Sequence, residues 1–117
     1  MNIRVTFGET VLTGELWDNT TARDLITLLP LTLTFSDFNN VEKLARLPRK
    51  LSLDGMPAGA DPAPAEIGYY APSGDLVFYY GDVGYFNGIM RIGRFDGSVD
   101  PLASQAGNFS VTIELAT

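Results

Sequence analysis

The segment EKLARLPRK, residues 42–50, places Lys43, Arg46, Arg49 and Lys50 within eight residues, half of the basic side chains in a chain of net charge −6. Such a cluster can hold an anion or a carboxylate through charge-assisted hydrogen bonds, or it can be a solvated face that pairs with the protein's own acids. A second concentration is EIGYYAPSGDLVFYYGD, residues 66–82, with Tyr69, Tyr70, Phe78, Tyr79 and Tyr80; Tyr85 and Phe86 follow in the glycine-flanked GDVGYFNG. Adjacent rings in a strand point to opposite faces, so Phe78 and Tyr80 share a face with Leu76, and Tyr79 shares one with Val77. One set packs a core. The other either fills cross-strand pairs or lines a ligand groove, with Tyr85 and Phe86 as rings that packing explains less easily.

The remaining chemistry is narrow because the chain has neither His nor Cys. That removes the commonest general base, the thiol nucleophile, the disulfide and the usual transition-metal ligands, leaving carboxylates, Tyr, Lys and Arg. A Ser-His-Asp triad and a typical zinc site are excluded. Asp61 with Glu66, and Asp96 with Asp100, match no calcium loop, so the expectation is no metal and no cofactor. Arg91 and Arg94 are expected to pair with Asp96 or another nearby acid, and Gly93 between them reads as structural.

The elements that would position these residues are mostly short strands. Ile3, Val5 and Phe7 alternate with polar neighbours, and Val11 to Trp17 continues after a turn at Gly8 to Thr10, which predicts a β-hairpin. DNTTARDLITLLP supplies N-cap candidates Asp18 to Thr21 and an apolar helical face from Ala22 to Leu29, stopped by Pro30. LTLTF, residues 31–35, is a strand, and the stretch near Glu42 to Leu47 is a strand or an extended segment. Pro57, Pro62 and Pro64, with Gly55 and Gly59, keep residues 54–66 from forming a regular element of any length. Strands follow at Ile67 to Ala71 and Leu76 to Tyr80 around a PSGD turn, then at Ile89 to Phe95, then a turn or helix near Val99 to Ser104, and a strand at Phe109 to Leu115. The predicted fold is all-β, a closed eight-stranded antiparallel barrel with one or two short helices, since closure leaves no exposed edge.

At 117 residues, 45% hydrophobic and 19% charged, the chain suits one globular domain over 1–117. Its acidity disfavours nucleic acid as a partner. No window approaches a membrane span, and the amino terminus alternates instead of presenting the apolar core of a signal peptide, so the expectation is a soluble cytoplasmic protein without a membrane partner.

Three segments in order, GELWDNTTARDLITLLP, EIGYYAPSGDLVFYYGD and IGRFDG, resemble a family of small bacterial and archaeal proteins with a cyclophilin-like fold, over nearly the whole chain. The family's hairpin pattern is kept, with Glu66 where Asp is usual. The resemblance implies the eight-stranded barrel with helices covering its ends, and little about activity, because most members have none established. True cyclophilins isomerise the bond before proline in an apolar groove with an Arg and a Gln. Their F-H-R and Q-G-G motifs are absent here, and laying SGDLVFYY on the enzyme's strand puts Leu76 at the Gln position and Phe78 at the Phe position. Residues 42–50 occupy the part of the chain that supplies the enzyme's arginine, which makes Arg46 and Arg49 the candidates for that role. The reading that results is a non-catalytic binding domain for a peptide segment or small anionic ligand, its groove edged by Arg46 or Arg49, Phe78, Tyr79, Tyr85 and Phe86. Two alternatives stand beside it: a divergent peptidyl-prolyl isomerase, and a structural or homo-oligomeric module whose exposed rings form the interface.

Overall fold

The computed structural model describes residues 1–116. The amino-terminal hairpin is β1 (Asn2–Phe7) and β2 (Thr10–Leu16), followed by α1 (Thr20–Ile26), β3 (Leu31–Phe38) and β4 (Glu42–Arg46). After the proline-rich stretch come β5 (Gly59–Ala60), β6 (Glu66–Tyr70), β7 (Asp75–Tyr79), β8 (Phe86–Asn87) and β9 (Ile89–Phe95), then α2 (Asp100–Ala103) and β10 (Phe109–Leu115). Eight strands close into an antiparallel barrel in the order β1-β10-β3-β4-β7-β6-β9-β2, as the alternation and the resemblance both imply. β5 and β8 pair separately as a two-stranded ribbon inside segments expected to be loops.

Alternation sorts the side chains. Ile3, Val5 and Phe7 of β1, Ile67 and Tyr69 of β6, Leu76 and Phe78 of β7, and Val111 and Ile113 of β10 fill the interior. An aromatic series runs through it: Phe35 stacks on Phe78 at 4.5 Å between centroids, and Phe78 meets Phe95 edge-on at 5.1 Å. The Tyr69 hydroxyl, buried with its ring, accepts from the Leu51 amide at 3.0 Å and so ties residues 47–52 across one end of the barrel. α1 lies at this end. Its N-cap is Asn19, whose side chain accepts from the Ala22 amide, and Thr21 donates to the Ser52 carbonyl. At the other end the buried Lys43 extends inward from β4, and its Nζ reaches Asp37 Oδ1 at 3.0 Å and the Gln105 carbonyl at 2.8 Å, just after α2. Among the described residues no helix is long and apolar enough to cross a membrane.

Barrel closure between β2 and β9 depends on backbone approach. A Cβ on Gly93 would lie 2.2 Å from the Glu15 carbonyl oxygen, too close for any side chain, so glycine is required by space. Gly97 has nothing within 4 Å of the equivalent position and serves as a control. Gly93→Ala is expected to cost about 3 kcal/mol, the upper part of the range for overpacking. Gly97→Ala is expected to stay within about 0.5 kcal/mol of the parent. Urea unfolding followed by the fluorescence of Trp17 measures both, and equal stability of the two variants would show that the seam tolerates a side chain.

Candidate functional site

The outer faces of β3, β4, β6, β7 and β9 meet in an apolar groove. Cross-strand pairs place its residues: Glu42 opposite Tyr79 and Leu44 opposite Val77 between β4 and β7, Phe38 opposite Glu42 between β3 and β4, and Tyr70 opposite both Asp75 and Ile89. Leu44, Val77, Tyr79 and Ile89 form its floor and walls, and Val83 and Phe86 of the segment leading into β9 close one side. The groove encloses about 340 Å³. Phe38 and Phe86 at its lips are 52% and 55% exposed, so two large rings stand beside an apolar floor without being covered. The Tyr79 ring crosses β6 where a side chain is missing: a Cβ on Gly68 would lie 2.7 Å from Tyr79 Cε2.

Polar groups in the groove are few. Asp75 accepts from Ser73 Oγ at 2.6 Å. Glu42 lies among Phe38, Leu44, Val77 and Tyr79, and burial raises its carboxyl to about 7, with the Asp75 and Asp37 charges adding to the rise. Burial likewise pushes the Tyr79 phenol upward, with the Glu42 charge second, so this hydroxyl stays protonated. None of the lining residues is Arg or Lys.

Of the candidate site residues Arg46, Arg49, Phe78, Tyr79, Tyr85 and Phe86, the structure brings only Tyr79 and Phe86 together in the groove. Phe78 corrects the expectation, because it faces the barrel interior between Phe35 and Phe95 and is buried. Tyr85 is 58% exposed on the other side of β8, where it lines a separate cleft with Trp17, Met56 and Arg91. Arg49 is held by Asp24, which takes NH2 on Oδ1 at 2.8 Å and NH1 on Oδ2 at 2.9 Å, away from the groove. Those bonds and the Ser52 amide hold the Asp24 carboxyl at about 2. Arg46 is exposed on the groove's face opposite Asp75, outside the lining residues. The expected positive field of residues 43–50 is largely spent inside the molecule, since Lys43 is buried and Lys50 donates to the Ala71 and Pro72 carbonyls. Arg91 pairs with Glu66 through both Nε and NH2 and lies over the Trp17 ring, while Asp96 is left out of that pair. Among the described residues no three acidic side chains converge as metal ligands.

Sequence reasoning missed Glu42, Leu44, Val77 and Tyr70 as groove residues. The available signal was the unbroken apolar run LVFYY, since a strand apolar on both faces must be covered on both.

An eight-stranded antiparallel barrel with this strand order and two short capping helices defines a cyclophilin-like domain. The chain belongs to the Cyclophilin-like family, whose model matches residues 5–114. It is also similar to the solution structure of a hypothetical protein from Archaeoglobus fulgidus, at 20% identity and a TM-score of 0.76, covering 99% of this chain and 95% of that one. No curated protein matches the chain.

A carboxyl raised from 4.5 to about 7 binds its proton more tightly in the folded chain than in the unfolded one, so stability falls as pH rises through that interval. The urea midpoint is expected to drop between about pH 4.5 and 7, and Glu42→Gln to flatten the drop; an equal drop in both proteins would assign it elsewhere. Arg49→Ala is expected to lower the midpoint at neutral pH by removing the charged tie between α1 and residues 49–52, leaving the Ser52 contacts in place. That loss should shrink in acid as Asp24 gains its proton, a dependence read from the same titration.

Proposed function

We propose that the domain is a non-catalytic binding module that holds an apolar peptide segment of another protein in the outer-face groove. The observation that supports this reading is the exposed pair Phe38 and Phe86 over the floor of Leu44, Val77 and Tyr79. A peptide supplies the apolar side chains that such a floor lacks, and aromatic lips are the residues that commonly carry binding energy. A small anion fits less well, because the ionisable side chains closest to the floor, Glu42 and Asp75, are acidic. An isomerase would need a guanidinium directed at that floor; Arg49 is engaged by Asp24 and Arg46 stands outside it.

Selection of phage-displayed random heptapeptides on the parent protein and on the Phe38→Ser/Phe86→Ser variant tests the reading. Both rings are more than half exposed, so the variant keeps its fold. Enriched peptides are expected to bind the parent at least about tenfold more tightly, the scale of losing a binding hot spot. Their amide shifts should centre on Leu44, Val77 and Tyr79. Equal enrichment on the variant would overturn the proposal. A dimer of the parent that the variant abolishes would replace it with a contact between two copies of this chain.

A further inference from the structure

We infer that the groove selects a segment carrying a cation next to its apolar anchor, with the ammonium or guanidinium set on Glu42 and steadied by Asp75. This rests on the peptide reading above and names the chemistry of the occupant.

Four other carboxylates around the barrel wall and its helix each have a donor. Glu66, buried on the same side of the barrel wall, receives Arg91 through two nitrogens and the Ala63 amide. Asp24 receives Arg49 and the Ser52 amide; Asp37 receives Lys43, the Asn40 amide and the Tyr80 hydroxyl. Asp75 has the Ser73 hydroxyl. Glu42 differs from all of them: no hydrogen bond to a described residue stabilises its carboxylate, although burial works against its charge. A carboxylate without a partner in an apolar wall is costly, and Leu or Gln at this place would be cheaper. The cost turns into selectivity when a ligand brings the missing donor.

Among the described residues no cation lines that place. Lys43 leaves β4 on the opposite face, toward Asp37 and the Gln105 carbonyl. Lys50 and Arg49 are engaged with backbone carbonyls and Asp24. Arg46 is exposed beyond Asp75. On Glu42's own face stand Tyr79 opposite it and Asp75 farther along β7, Phe38 opposite it on β3, and Tyr70 of β6, while the Asp37 charge acts from the other face of the wall. This set combines negative charge, phenols and an aromatic ring. Phe38 and Phe86 can cover the methylene stem of a lysine or arginine, or face its charge, while the apolar neighbour takes the Val77 floor. A net charge of −6 adds a general attraction for cationic segments.

The test compares 2-phenylethylamine with 2-phenylethanol, which share an apolar body and differ in carrying a cation. Each is titrated at about pH 8, above the Glu42 value of about 7, and followed by the amide shifts of Leu44, Val77 and Tyr79. The amine is expected to bind about tenfold more tightly than the alcohol, as one charge-assisted contact provides. The preference is expected to vanish in Glu42→Gln, whose unchanged amide spectrum away from the groove certifies its fold. Equal binding of the two probes overturns cation selection and leaves the apolar groove standing. Binding of neither overturns both readings, and a preference that survives in Glu42→Gln overturns the role given to that residue.

Discussion

β7 carries apolar side chains on both faces, and a barrel has only one interior. Leu76 and Phe78 are satisfied inside, against Tyr69, Phe35 and Phe95. Val77 and Tyr79 point the other way and need a second cover, found in Leu44 of β4, Ile89 of β9 and Val83 beyond β7. The second layer is smaller than the first. The segment from Gly81 to Gly88 crosses only part of the outer face, and the uncovered remainder is the groove. The site thus arises from a mismatch between the apolar surface of one strand and the length of chain available to bury it.

The same wall divides the electrostatics. Lys43 and Glu42 are neighbours on β4, so their side chains leave on opposite faces. The lysine goes inward and is fully engaged at the barrel's end by Asp37 and the Gln105 carbonyl. The glutamate goes outward, opposite Tyr79 and under the negative charge of Asp75, and neither offers it a positive charge. One residue of register thereby separates a buried cation with partners from a half-buried anion without one. An acidic groove in a cyclophilin-like domain is a different instrument from the arginine-bearing groove of the isomerases, even where the barrel is shared.

The family and the structural neighbour fix the architecture and leave the chemistry to the side chains. At 20% identity the archaeal protein shares the barrel, and its own description is that of a hypothetical protein. The groove is made by Phe38, Glu42, Leu44, Val77, Tyr79 and Phe86, residues brought together from three non-adjacent stretches of chain.

Period-two alternation was enough to place β1, β2, β3 and β10, apolar runs bounded by turns placed β6, β7 and β9, and the cap candidates Asp18 to Thr21 with the Pro30 stop bracketed the helix. These are local signals, carried by residues a few positions apart, and packing did not override them. Alternation also placed Phe78 and Tyr79 on opposite faces, but the choice of which face is the inside belongs to the closed barrel. That choice put Phe78 in the core and Tyr79 in the groove. The destinations of the basic cluster were likewise invisible. Lys43, Arg46, Arg49 and Lys50 are close in sequence, yet alternation along β4 and the turn after it send them to Asp37, solvent, Asp24 and the Ala71 and Pro72 carbonyls. The sequence by itself determined most of the barrel strands, the first helix and the family, but not the β5–β8 ribbon. Only the tertiary structure decided the site, because a groove is made by pairs such as Glu42 with Tyr79 and Leu44 with Val77, set by barrel register across more than thirty residues of chain.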